Sequence, residues 1–217
     1  MSIPSRFLAA SFAACLAMVS SAPQAAELLL NGGFEDGVQT VTIGGFTNFA
    51  VPVDWTPNAA FVQFSGDNHV TGSIFHSGAK SLQIGNDDGA ALATLSQSFN
   101  DVAGDTYNVT FFAAYGGGVG ADPNAFLKVS VGSAGNTVTD TIGETFEQFS
   151  FSFVGTGHDT LAIAGQTNPS SWFVDDASVT GAASTVPEAP TWAMMLAGFG
   201  GLGFVGYRWR RTAIPVA

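Results

Sequence analysis

Apolar residues follow three patterns along these 217 positions. One apolar run, Phe7 to Val19, stands near the start, and another, Trp192 to Tyr207, stands near the end. Between them apolar and polar residues alternate. Tyr107, Val109, Phe111, Ala113 and Tyr115 share one face, as do Leu127, Val129 and Val131, while Phe149, Phe151 and Phe153 alternate with Ser150 and Ser152. A period of two sends successive side chains to opposite faces, which is the pattern of half-buried strands. No long stretch carries the 3.6-residue apolar period of a helix. Turn signals separate the strands at Asn31-Gly32-Gly33, Ser65-Gly66-Asp67-Asn68, Gly85-Asn86-Asp87-Asp88-Gly89, Gly116-Gly117-Gly118, Ala134-Gly135-Asn136 and Gly155-Thr156-Gly157. Their regular spacing predicts an all-β fold, an antiparallel meander or jelly-roll sandwich rather than βαβ units.

The two ends are built for membranes. Arg6, the apolar run and the small residues from Ser20 to Ala26 form a secretory signal pattern, with cleavage expected near Ala26. Gln24 occupies a position where a small residue is preferred, and a cut after Ala22 would leave Pro23 first, so the bond itself stays open. The only cysteine, Cys15, lies in the signal, so no disulfide is expected in the exported domain. At the other end, Pro187, Glu188 and Pro190 precede a 16-residue uncharged run, and Arg208, Arg210 and Arg211 follow it. As a helix, 192–207 would be about 24 Å long against a hydrocarbon core of about 30 Å, a gap narrowed by snorkelling arginines. The positive-inside rule keeps those arginines cytoplasmic, which agrees with a signal that sends the domain outward. The expected organisation is a signal peptide at 1–26, one β-sandwich ectodomain at 27–185 and a tail at 186–217. Within the tail lie a motif at 186–192, a membrane helix at 192–207 and a basic end at 208–211.

Charge narrows the choice of partners. Residues 27–185 contain 16 carboxylates against Lys80 and Lys128, a net charge of −14. Such a field repels nucleic acid and anionic lipid and favours cations and neutral partners. Catalytic constellations are scarce. His69, His76 and His158 show no metal-ligand spacing, and Gly116 to Gly120 lacks the Lys-Ser/Thr and the helix of a phosphate loop. Asp87/Asp88 and Asp175/Asp176 are chain neighbours, which regular strand alternation would send to opposite faces, so neither is expected to be a glycosidase dyad. A pair assembled from distant carboxylates stays open, and no catalytic residue is assigned.

Three segments occur in a telling order: Leu30-Asn31-Gly32-Gly33-Phe34-Glu35-Asp36-Gly37, His76-Ser77-Gly78-Ala79-Lys80-Ser81-Leu82 and Phe173-Val174-Asp175-Asp176-Ala177-Ser178-Val179. Together they resemble landmarks of galactose-binding-like jelly rolls, a superfamily that includes many carbohydrate-binding modules. The resemblance implies a sandwich whose first and last strands lie close together, frequently with a structural calcium ion between them. Glu35 and Asp175 match the family's acidic positions, and backbone carbonyls would complete a shell of six to eight oxygens. From the residues alone, Glu35 and Asp36 equally well decorate a turn, and Asp175 equally well serves as a strand-end hydrogen-bond acceptor. A sugar site would use exposed rings flanked by polar groups. The candidates are Trp55, Tyr115 and Trp172, with Asn58, Gln63 and Asn168 as neighbours; the alternative for each ring is an ordinary place in the core.

The tail is the more specific signal. Its extended proline segment, apolar helix and arginine cluster resemble the PEP-CTERM sorting tail of Gram-negative bacteria. Processing by exosortase and an association with exopolysaccharide and biofilm are what that resemblance implies. Pro187, Glu188 and Pro190, with Trp192, would be the recognised segment, and Arg208, Arg210 and Arg211 the membrane stop. Ala189 departs from the Pro-Glu-Pro signature. The expectation is an exported, non-enzymatic surface or matrix protein, held in the inner membrane by its tail before processing and binding exopolysaccharide or another glycan. The alternatives are a structural or adhesive envelope protein without a sugar site and, more remotely, a glycoside hydrolase.

Overall fold

The computed structural model describes residues 25–63, 66, 68–86, 91–167, 170–181, 195–202 and 207. The signal-peptide residues up to 24, the motif residues Pro187, Glu188, Pro190 and Trp192, and the stop residues Arg208, Arg210 and Arg211 lie outside them. So do Asp87, Asp88 and Asn168.

The alternating segments form strands, as their period requires. In chain order they are β1 (Val38–Ile43), β2 (Phe46–Pro52), β3 (Thr56–Pro57), β4 (His69–Thr71), β5 (Ser81–Ile84) and β6 (Ala93–Asn100). There follow β7 (Thr106–Tyr115), β8 (Phe126–Val131), β9 (Ala134–Thr139), β10 (Glu147–Val154), β11 (His158–Gln166) and β12 (Trp172–Gly181), and a short helix, α1 (Ala59–Gln63), follows β3. Two antiparallel five-stranded sheets, ordered β10-β7-β12-β5-β4 and β3-β6-β11-β8-β9, face each other, and β1 and β2 form a separate hairpin. This is the antiparallel jelly-roll sandwich that the turn spacing predicts.

The core is what the alternation points inward. From the first sheet it takes Val109, Phe111, Leu82 and Val174, and from the second Leu95, Leu127, Val129, Leu161 and Ile163, all buried. Burying one such side chain stabilises the fold by about 1.5–3 kcal/mol, so these strands have a single acceptable register. Phe153 is buried and stacks on Tyr107, while Phe149 is half-buried and stacks on Phe111.

Two turns differ from the expected ones. The residues Ala134-Gly135-Asn136 lie in β9, and the chain reverses just before them at Gly132, whose φ of +55° favours glycine. The hairpin between β1 and β2 turns at Gly44-Gly45, φ +59° and +86°, outside the turn signals named above.

The chain ends of the sandwich meet. Glu27 bridges Thr180, Leu28 N–H donates to Val179 at 2.9 Å, and Ala177 N–H donates to Gly32 at 2.9 Å. A Cβ on Gly32 would lie 1.9 Å from the Ala177 carbonyl oxygen, so only glycine permits the approach. The strand pairing of β12 with β7 breaks between Asp175 and Ser178, a bulge in which Asp176 takes a φ of +48°. That bulge presents two consecutive aspartates to the same loop.

Candidate functional site

Carboxylates from the first and last segments of the sandwich converge on residues 76–80, in the loop that leads into β5. Glu35 Oε1 accepts the amides of Ala79 at 2.7 Å and Lys80 at 2.8 Å, and Lys80 Nζ donates to the Glu35 carbonyl at 3.0 Å. Gly78 makes room for this: its φ is +63°, and a Cβ there would stand 2.3 Å from Glu35 Oε1. Asp175, fully buried, accepts the amides of His76 at 2.8 Å and Ser77 at 3.1 Å on Oδ2 and that of Asp176 at 2.8 Å on Oδ1. Burial pushes its carboxyl above the usual range, and the three amides pull the other way.

Asp176 takes the two side chains. His76 Nδ1 pairs with Asp176 Oδ2 at 2.7 Å, and Ser77 Oγ donates to Oδ1 at 2.9 Å. The imidazole stacks on Phe112, centroids 3.6 Å apart and planes 14° from parallel, with Phe146 edge-on at 5.9 Å. Ser77 donates to the carboxylate and not to the imidazole, so these three residues are not aligned as nucleophile, base and orienter.

Glu35 and Asp175 therefore grip one loop as acceptors for its amides. Oε2 of Glu35 accepts no hydrogen bond from the described residues, which leaves one carboxylate oxygen open to a cation. Among the described residues no group of three or more His, Cys, Asp or Glu is arranged to hold a metal ion, so any shell here would draw mainly on backbone carbonyls.

The expected sugar-stacking rings are elsewhere. Trp55, Tyr115 and Trp172 are core residues, each no more than 1% exposed, so none offers a face to a pyranose. Tyr115 packs on Trp172 at 4.7 Å, and Trp55 on Phe34 at 5.5 Å. Their polar atoms are satisfied internally: Trp55 Nε1 donates to the Asn31 carbonyl at 3.1 Å, Trp172 Nε1 to that of Gln166 at 3.2 Å, and the Tyr115 hydroxyl oxygen accepts from Thr167 at 3.2 Å. Asn58 is also structural, its Oδ1 capping α1 at the Phe61 amide at 2.8 Å and bonding the Thr94 amide at 3.1 Å. Gln63 is exposed at the end of α1.

The outward face of the second sheet has a different character. Its register sets Thr94, Ser96 and Ser98 beside Ala164, Ala162 and Thr160, and Ala164 and Ala162 in turn beside Lys128 and Ser130. Lys128 is the only permanent charge at the outward strand positions, in a domain otherwise crowded with carboxylates. The face is rich in hydroxyls, and the central strands β6 and β11 present no Phe, Tyr or Trp outward.

One carboxylate pair does form. Asp101, after β6, and Asp159, at the start of β11, are in hydrogen-bonding contact. Desolvation first, and then Asp159, hold the Asp101 carboxyl above the usual range, while the bond from Asp101 and the Thr156 amide hold Asp159 below it. Asp101 Oδ2 is a buried oxygen that no donor among the described residues reaches. Glycosidase dyads keep their carboxyls about 5–9.5 Å apart, so a pair in contact leaves no room for a glycosidic bond between them.

Residues 185–211 match the family model of the PEP-CTERM protein-sorting motif. The chain carries a PEP-CTERM sorting tail. The match runs across Ala189, so the displaced proline does not prevent it. Residues 195–202 and 207 of this tail are helical, with Leu196, Phe199 and Leu202 exposed. Among the described residues no helix is long and apolar enough to cross a membrane, so the anchor expected at 192–207 rests on its sequence.

Comparison with curated proteins finds no match. Among solved structures, the carbohydrate-binding module TmCBM61, in complex with β-1,4-galactotriose, aligns with a TM-score of 0.52 and 17% identity over 71% of this chain and 97% of its own. The CBM22-1 xylan-binding domain of Paenibacillus barcinonensis, 17% identical, aligns at 0.48 over 76% of this chain and 100% of its own. A CBM4 domain, 16% identical, aligns at 0.44 over 70% and 98%. The likeness to TmCBM61 shows that the sandwich shares the jelly-roll fold of that module.

Proposed function

We propose that this PEP-CTERM chain is an exported, non-catalytic glycan-binding protein, delivered by its tail to the cell surface or extracellular matrix. The observation that carries the reading is the pairing of a whole-module likeness to TmCBM61 with a sorting motif at 185–211. In this reading the apolar helix at 192–207 holds the protein in the inner membrane until an exosortase-type enzyme cuts at the segment around Pro187, Glu188 and Pro190. Arginines 208, 210 and 211 stay on the cytoplasmic side. The partner is exopolysaccharide or another glycan, met on the hydroxyl-rich face of the second sheet, where Ser, Thr and Lys128 side chains are not screened by carboxylates. A calcium ion on Glu35, beside the loop that Asp175 also grips, belongs to the same proposal. Bound there, it would supply only positive charge that ties the chain ends together; Glu35 and Asp175 orient the loop amides without it.

A second reading, a structural or adhesive coat protein, is favoured by one observation: the three large rings that could stack on sugar are buried. A glycan array probed with the purified exported protein separates the two. The glycan reading expects a restricted set of sugars, weakened by Lys128→Ala together with Ser96→Ala and Thr160→Ala. Uniform absence of binding across neutral and charged glycans supports the coat reading instead.

A further inference from the structure

Beside β9 and β10, each the edge strand of its sheet, the turn from β8 to β9, the end of β10 and the residues leading into β11 surround an open groove of about 520 Å³. Small-molecule sites occupy about 300–1,000 Å³, so the space suits one or two sugar rings. Its walls combine apolar Val131, Ala134 and Val154 with the hydroxyl-bearing Ser133 and Ser152, and its one charged side chain is Asp159. No lysine or arginine lines it. Val154 is 60% exposed, an apolar surface that water meets unless something covers it.

We propose that this groove is a subsite for a sugar bearing a free amine, with Asp159 as the counter-charge and Ser133 and Ser152 as hydroxyl partners. The proposal rests on the glycan reading and adds a chemical class to it. The pattern of apolar patch, scattered hydroxyls and one carboxylate matches the parts of an amino sugar: a C–H face, ring hydroxyls and an ammonium. An acidic sugar is disfavoured by Asp159 and by the −14 charge of the domain. The groups facing Asp159 are consistent with this role. Asp101 is in hydrogen-bonding contact with Asp159 and holds the Asp159 carboxyl below its usual range, which favours its charged form. Asp105 lends its carbonyl to Gly155 N–H at 2.9 Å, and His158 is tied on the opposite face to Asn100 at 3.1 Å.

The test is calorimetric titration of the full chain in detergent micelles with the β-1,4-linked disaccharide of glucosamine and with its N,N′-diacetyl form. The free amine is expected to bind about tenfold more tightly, the worth of one charge-assisted contact. Asp159→Asn should erase that preference, and Ser133→Phe, which fills the groove without altering the carboxylates, should weaken both sugars by about tenfold or more. Equal affinity for the two sugars, no binding of the amine, a preference that survives Asp159→Asn, affinities untouched by Ser133→Phe, or equally tight binding of a lysine peptide would each overturn the assignment. If neutral glycans still bind on the array while the amine sugar does not, the groove proposal falls and the glycan reading stands.

Discussion

Replacing Asp175 by asparagine preserves the side chain's shape and changes only what it can accept. The native carboxylate receives three amides, from His76, Ser77 and Asp176, at 2.8–3.1 Å. In the better orientation asparagine turns its oxygen to His76 and Ser77 and its NH2 to the Asp176 amide, so two donors face each other. One charge-assisted bond, worth about 1.5–3 kcal/mol, is lost, and two become neutral. Relief of the buried charge returns part of this, and the net loss should be about 2–3 kcal/mol. For a domain of this size that lowers Tm by about 5–10 °C. The pH dependence has a defined sign. The folded carboxyl is raised above its unfolded value of 3.8, so the fold binds this proton more tightly. Its contribution is present in full below that value, declines as pH rises towards the raised folded pKa, and is constant beyond it. The Asp175→Asn variant would lack that slope. Circular dichroism melts between pH 3 and 8, with hydrogen exchange at the His76 and Ser77 amides, measure both effects. An unchanged Tm at pH 7 together with undiminished amide protection would refute the claim that this carboxylate holds the loop.

Three further outcomes are expected. Gly78→Ala introduces a Cβ at φ +63° and 2.3 Å from Glu35 Oε1, and should cost about 1–3 kcal/mol in denaturant titration while leaving the sheets' circular dichroism intact. If calcium uses Glu35, a hundredfold excess over its dissociation constant should add about 2.7 kcal/mol, and Glu35→Gln should blunt the gain; identical melts in calcium and in chelator would remove the ion. Pro187→Ala with Glu188→Ala should leave a full-length species in the inner membrane of an exosortase-bearing host, whereas the native chain should yield a shorter surface form. Mass spectrometry of surface material that still ends at Ala217 would show that the tail is only an anchor.

Legibility divided along physical lines. The β class, the strands at 107–115, 127–131 and 149–153 and their inward faces follow from local alternation, and the structure reproduces them. The turn at Gly132 is harder to see, because Ala134-Gly135-Asn136 contains the same turn-forming residue types. Gly135 instead serves β9, where a Cβ would meet the Val129 carbonyl oxygen at 2.6 Å. The acidic landmarks Glu35 and Asp175 are visible as residues, but their use as clamps on residues 76–80 depends on the bulge at Asp176. The Asp101–Asp159 pair leaves no signal in the sequence, because the two belong to separate segments that meet only in the folded sheet.

By itself the sequence determined the order of segments, the acidic field, the period-two strands and the sorting tail, since each is a property of neighbours along the chain. Tertiary structure alone decided which aromatic rings meet solvent. Trp55, Tyr115 and Trp172 have the composition of sugar platforms, yet sheet pairing directs Tyr115 and Trp172 inward and the link between β2 and β3 packs Trp55 on Phe34, so that their large apolar area stabilises the core and backbone carbonyls or Thr167 satisfy their polar atoms. The convergent carboxylates of the first and last segments and the groove beside β9 and β10 exist only after distant strands register, because burial and convergence are properties of the packed sheets and not of any local pattern.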